Sequence, residues 1–355
     1  MKNILINLRN LYSKIRRYGA FGTLTPEEFA TLSQRILVPV TKISALDGGP
    51  DLESRPVKPE MISSDTVLKE SENTCILAVI VVYERNLDEV SSWKILRSAL
   101  LSADRVPPWL GHVLIYDNSA QPRSSPPLGT PRCSYVHNGA NGGTAAAYTY
   151  ATNCARSNQC NWMLLLDHDT DITSHFLSEA RIATSADPSI RSVAWLPWVF
   201  DDNRPVSPAF ITWAGGIRPL LGRSVNRTNW KLTGIASGVL IRTWAMNVLQ
   251  PLLNESRLDF LDHRMFAHLR KQGLQLNILN TSLEHKLSVM RPGELSDWRL
   301  RSILDAEAHF IRELSWIARA LYPARLLFRA LRFLNKRPSH SITVLSYALR
   351  AWSYR

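Results

Sequence analysis

The stretch Cys75-Ile76-Leu77-Ala78-Val79-Ile80-Val81-Val82-Tyr83-Glu84-Arg85-Asn86 decides the fold. CILAVIVVY is an unbroken apolar run rich in β-branched residues, the pattern of a strand buried on both faces, and it stops abruptly on polar groups. Downstream the pattern recurs. VLIYD (Val113–Asp117) and SYVHN (Ser134–Asn138) precede a small-residue helix, TAAAYTYATNCA; WMLLLD (Trp162–Asp167) precedes a helical SHFLSEARIA; then comes SVAWLPWVF. This alternation predicts an α/β fold with a central sheet that is largely parallel at its start. Upstream, Thr25-Pro26-Glu27-Glu28 is a helix start, and residues 47–72 have the Gly, Pro, Ser and charge content of a linker. The chain therefore divides into a helical N-terminal extension and linker over 1–74, an α/β domain over 75–290 and a basic helical region over 291–355.

Composition sets limits on partners. The 355 residues carry 42 bases against 30 acids, net charge +12, and the excess sits at the two ends. Met1–Arg17 has five bases and no acid, and Leu314–Arg355 has eight bases and no acid, so the remainder is nearly neutral. Both ends interleave their bases with large apolar residues, as in LSWIARALYPARLLFRALRFLNKR, which suits helices lying in an anionic membrane surface. Pro323 is expected to kink or divide the second of these. Packing on the core with solvated bases is the alternative. No run reaches the roughly 18 apolar residues of a spanning helix. A near-neutral middle with acids at strand ends argues against nucleic acid. Cys75, Cys133, Cys154 and Cys160 form no CxxC pair, and no secretory signal is seen, so a cytoplasmic chain peripheral to the membrane is expected.

In open sheets ligands bind beyond the carboxyl ends of strands, so the residues after each apolar run are the candidates. These are Tyr83-Glu84-Arg85-Asn86, Asp117-Asn118-Ser119 and Asp167-His168-Asp169. Two carboxylates one residue apart at a strand end can face one hard cation and leave positions for diphosphate oxygens. Asp171 extends the pattern toward a calcium loop, but Ile172 and Ser178 occupy the places that need Gly and Glu. HNGANGGTAAA, with Asn141 and Gly142 at its centre, is either a phosphate-binding turn feeding a helix N-terminus or a plain strand-to-helix turn. Asp259 and Asp262 in LDFLDHRMFAHLRKQG fall three apart at a helix start; they are dipole-stabilising acids, or one of them is a general base. His285 follows the strand-like LQLNIL and is a metal ligand or a structural histidine.

The order of these motifs from Ile76 to His285 resembles family 2 glycosyltransferases, and within them the bacterial rhamnosyltransferase-like members. The resemblance implies a GT-A type nucleotide-diphospho-sugar transferase fold with a mixed, mainly parallel central sheet and helical extensions. It implies a metal-dependent inverting transferase with Mg2+ or Mn2+ as cofactor. VIVVYERN is similar to the family's first nucleotide-binding strand, YDNSA to the second, NGANGGTAAA to its Asn- and Gly-rich turn, LLLDHDTDI to its D-x-D strand and SGVLIR to its acceptor-side strand. Carried over, Tyr83, Asn86, Asp117, Asn141, Gly142 and Asp167 would bind the nucleotide sugar, Asp169 and His285 the metal, and Asp262 would be the catalytic base. The family has Arg six residues after that acid, where this chain has His268, with Arg270 two further on. The implied donor is dTDP-rhamnose, with UDP-linked hexoses or galactofuranose as alternatives, and the implied acceptor a glycan or lipid-linked glycan of cell-surface polysaccharide. Two rival functions are a sugar nucleotidyltransferase, which needs a basic Gly-rich loop where this chain has YERNLDEV, and a non-enzymatic basic adaptor for membrane or nucleic acid.

Overall fold

The computed structural model describes residues 74–101, 109–123, 129–186, 189–221, 231–255, 259–285, 295–334 and 337–353. The expected N-terminal helix and linker, and the bases Lys336 and Arg355, lie outside them. In chain order the elements are β1 (Ile76–Val82), α1 (Ser91–Leu101), β2 (Leu110–Asp117), β3 (Cys133–His137), α2 (Gly143–Ser157), β4 (Trp162–Asp167), β5 (Thr170–Asp171), α3 (Ser174–Ala186), β6 (Ser192–Asp201) and β7 (Arg204–Ser207). They continue with β8 (Ala209–Ile211), β9 (Ile217–Pro219), β10 (Leu232–Thr233), β11 (Val239–Arg242), α4 (Thr243–Glu255), α5 (Leu261–Lys271), β12 (Gln275–His285), α6 (Asp297–Arg312), α7 (Trp316–Leu334) and α8 (Pro338–Ser353).

One mixed sheet carries the order β3-β2-β1-β4-β11-β6-β12-β5, with β7 paired to β6; β10-β8-β9 form a small second sheet. Strands β1 to β4 are mutually parallel, β6 and β12 pair in parallel, and β11 is inserted antiparallel between β4 and β6. The expected mixed, mainly parallel α/β sheet is present.

Every residue of β1 is buried because both faces of the sheet are covered. Leu77, Val79 and Val81 pack with Tyr148 of α2, Met246 of α4 and Phe266 of α5. Ile76, Ala78, Ile80 and Val82 pack on the opposite side with Leu96 of α1 and Phe176 of α3. Two-sided burial is why the run shows no apolar–polar alternation.

The C-terminal helices build a third cluster around Leu304, Phe310, Leu326 and Val344. Glu307 of α6 is only 2% exposed, and the two oxygens of its carboxylate take Arg329 Nη1 at 2.6 Å, Arg329 Nη2 at 3.0 Å and Arg325 Nη2 at 3.2 Å. Arg337 Nη1 donates to Leu295 O at 2.9 Å. Three bases of the acid-free tail are therefore packing elements, and neither the solvated nor the lipid-facing picture applies to them. Nor does Pro323 divide its helix: α7 runs unbroken through it, with Tyr322 and Pro323 both buried. No helix among the described residues is long and apolar enough to cross a membrane.

Candidate active site

Parallel strands deliver their carboxyl ends to one edge of a sheet, and here those ends carry the polar residues. At the end of β4 the half-buried Asp167 carboxylate accepts Ser237 Oγ at 2.5 Å, while the Asp167 N–H donates to Thr170 Oγ1 at 3.1 Å, closing the turn that presents Asp169. The end of β12 pairs with β5, setting His285 opposite Thr170. His285 Nδ1 lies 3.5 Å from Asp169 Oδ1 and 3.4 Å from Thr170 Oγ1. One ligand atom each from Asp167, Asp169 and His285 come within 4.8 Å of one another. Two carboxylates and an imidazole suit a divalent ion of the Mg2+, Mn2+ type, and the Asp169 side chain, 38% exposed, leaves the cluster open on one side for further oxygen ligands. Asp171 is not part of this group, since it is held by Ser91 Oγ on α1.

The segment before β11 ties this cluster to α5. Ser237 holds Asp167, and the neighbouring Ala236 N–H donates to Asp262 Oδ2 at 2.9 Å. Gly238 permits the turn: its φ is +79°, and a Cβ there would meet Leu283 Cδ2 at 2.3 Å. Burial pushes Asp262 up to about 6, against the pull of the Ala236 N–H and with help from the charge of Asp167. Asp167 is likewise raised by burial, although His285 and Ser237 oppose the shift. Tyr148 stands buried against both carboxylates; burial first, then their charge, drives its phenol well above the ordinary range.

The two acids of LDFLDHRMF part company. Asp259 precedes α5, and Phe260 between them takes a left-handed φ of 59°, so the two do not share a helix face. Arg299 Nη1 donates to Asp259 Oδ2 at 3.0 Å, Arg299 Nη2 lies 2.7 Å from Oδ1, and Ser302 Oγ donates at 2.7 Å. Asp259 thus docks α6. We expect Asp259→Asn to cost about 1–3 kcal/mol, the scale of hydrogen bonds to a charged group, read as a lower urea midpoint with unchanged slope. Turnover per folded molecule should persist; lost turnover at unchanged stability would move Asp259 into the chemistry. His268 and Arg270 lie in the last turn of α5, about 9 and 12 Å along the helix axis from Asp262, each with its pKa depressed by burial first of all.

The other strand ends form a second region. Asp117, 1% exposed, accepts Ser119 N at 2.9 Å and Tyr135 Oη at 2.6 Å. Burial alone would raise this carboxyl, but those bonds and the Arg123 backbone outweigh it and hold it below the usual carboxylate range. Beside it, among the described residues, Asn118 Oδ1 is buried without a hydrogen-bond partner. Glu84, at φ 52°, donates its N–H to Ser119 Oγ at 2.7 Å and pairs with Arg123, stitching the ends of β1 and β2 together. Tyr83 is 49% exposed, and Asn86 is exposed with its amide 3.3 Å from Glu89 Oε1. Asn141, at φ 48°, and Gly142 are exposed on the turn entering α2; a Cβ on Gly142 would meet Ala146 Cβ at 2.6 Å and Asn138 Nδ2 at 2.9 Å.

Ser237, the Ala236 N–H, Tyr135 and Tyr148 are contacts that local sequence did not reveal. Only the Ser-Gly step before β11 hinted at one of them.

No protein-family model matches this chain, and no curated protein matches it. Among solved structures it is similar to S. aureus TarS 1-349 in complex with UDP-GlcNAc, with TM-score 0.47 and 14% identity over 78% of this chain and 81% of that one. Similarity to S. aureus TarS 1-349 has TM-score 0.42 and 13% identity over the same shares. For a further S. aureus TarS structure the values are TM-score 0.42 and 12% identity, covering 78% of this chain and 49% of that one.

Proposed function

We propose that this protein is a divalent-metal-dependent, inverting glycosyltransferase of the GT-A kind, using a nucleotide-diphosphate sugar. The observation that carries the proposal is the joining of a cation-competent Asp167–Asp169–His285 group to a half-buried carboxylate of raised pKa, Asp262, through the adjacent residues Ala236 and Ser237. A single displacement needs these parts side by side: something to hold a departing diphosphate and, within one sugar's reach, a base for the incoming hydroxyl.

In this reading Asp117 accepts a hydrogen bond from the donor's base, and Tyr83, Asn86 and the Asn141–Gly142 turn enclose the nucleotide sugar. Asp262 takes the proton from an acceptor hydroxyl. The oxygen so freed bonds to the anomeric carbon on the face opposite the diphosphate, whose C–O bond breaks with the electron pair leaving on the diphosphate, and the configuration inverts. Asp167, Asp169 and His285 would hold a divalent cation, which would supply positive charge against the negative charge developing on the leaving group. Ser237 and the Ala236 N–H position the two carboxylates. The domain division at 74 and 290 belongs to the same proposal, as do rhamnose from dTDP-rhamnose and a glycan or lipid-linked acceptor.

The test is a nucleotide-sugar panel of dTDP-rhamnose, UDP-hexoses and UDP-galactofuranose, each with and without Mg2+ or Mn2+. One donor should raise the unfolding temperature only when metal is present, and the same pair should release nucleoside diphosphate. Stabilisation by none of them, or release of pyrophosphate from a nucleoside triphosphate and a sugar phosphate, would replace this function with one of its rivals.

A further inference from the structure

The helices α7 and α8 pack side by side, and each turns an apolar stripe outward. On α7, Trp316 (69% exposed), Leu331 (56%) and Leu334 (54%) fall on one face; on α8, Ile342 (69%), Leu345 (40%) and Leu349 (63%) do the same. Side chains of this size left bare on neighbouring helices mark an interaction surface. The inward faces of the same helices are fully used, since Ala318, Tyr322, Leu326, Val344 and Ala348 are in the core.

Charge selects the occupant. Leu314–Arg355 has eight bases and no acid. Arg325, Arg329 and Arg337 are turned inward to Glu307 and Leu295, while Arg319, Arg332 and Arg350 are exposed. A second copy meeting this face would set the same bases against each other. The chain's own amphipathic Met1–Arg17 would do likewise, having five bases and no acid. An anionic lipid leaflet has the opposite charge and accepts apolar side chains between its headgroups, with a tryptophan at the boundary.

We propose that the outer face of α7 and α8 is a docking surface for anionic membrane lipid, with Leu331, Leu334, Ile342, Leu345 and Leu349 entering the interface and Arg319, Arg332 and Arg350 over the headgroups. The attachment places the chain where a lipid-borne substrate resides, but it does not depend on the catalytic site.

The experiment is co-sedimentation of the full chain with vesicles of equimolar phosphatidylglycerol and phosphatidylcholine, or of phosphatidylcholine alone, at low and high salt. The unmodified protein should pellet with the anionic vesicles and be released by salt. Ile342→Glu/Leu349→Glu should lower partition on the order of tenfold with its unfolding temperature preserved, because both side chains are exposed. Arg319→Glu/Arg332→Glu, which leaves the apolar stripe intact, should lose the preference for anionic vesicles. The proposal is overturned if the Ile342→Glu/Leu349→Glu protein pellets like the unmodified one, if neutral vesicles bind equally well, or if light scattering finds a dimer that this variant splits into monomers. No vesicle measurement involves a nucleotide sugar, so failure here leaves the proposed transfer reaction standing, and the converse.

Discussion

Asp262→Asn should leave nucleotide-sugar and metal binding in place while turnover falls by roughly 10²–10⁴-fold, the range for loss of a positioned general base. The amide keeps the side chain's shape and can still accept the Ala236 N–H through its oxygen. What it cannot do is take a proton. A base held up to about 6 by burial also fixes the sign of the pH response: the deprotonated form is the active one, so turnover declines as pH falls through a single acid limb. That limb should lie near the value of about 6 to which burial, first of all, raises this carboxyl. The check is single-turnover kinetics across pH for both proteins. Full turnover in Asp262→Asn, with the acid limb intact, would take Asp262 out of the reaction.

The second large effect is expected at Asp169. Asp169→Ala should weaken Mn2+ affinity by about 10–100-fold or more, at least the loss seen when a ligand's supporting contact is removed. Donor affinity should fall with it, and only in the presence of metal. Its partly exposed side chain makes the substitution tolerable to the fold, so an unchanged unfolding temperature accompanies the loss. Asp167 is the less informative target, being bonded to Ser237; its replacement removes a structural contact as well. Calorimetry with Mn2+, then with donor across a metal titration, gives both constants. Donor binding indifferent to metal in both proteins would end the assignment of this cluster.

Much of the fold was legible because buried parallel strands leave an unmistakable trace. CILAVIVVY and WMLLLD are apolar on both faces, and both became central strands. The short β5, β8, β9 and β10 left no trace, since two or three residues carry no periodicity. Within the site, Asp167 and Asp169 stood out by adjacency. Choosing between Asp259 and Asp262 could not be done locally: the two are alike in type, and the difference comes from Arg299 and Ser302, on a helix some forty residues on. The tail misled for a similar reason. An acid-free segment looked like one whose bases face outward, but Glu307, which holds two of them, sits just outside it. Pro323 was expected to kink or divide α7; it does not divide it, and packing of its neighbours in the core carries the helix across the missing N–H.

The antiparallel insertion of β11 bears on how the molecule comes to be able to act at all. Strands β1 to β3 can pair with near neighbours in the chain, whereas the contact from Ser237 to Asp167 spans 70 residues and that from His285 to Thr170 spans 115. Contacts of such separation form only after the loop entropy between them has been overcome, so they are the slow ones. The cluster is therefore expected to be completed late in folding, once β11 has entered beside β4 and β12 has brought its last residue to β5. A partly folded chain would hold the D-x-D strand without its histidine or its serine, and any ability to grip a cation would arrive together with the finished sheet.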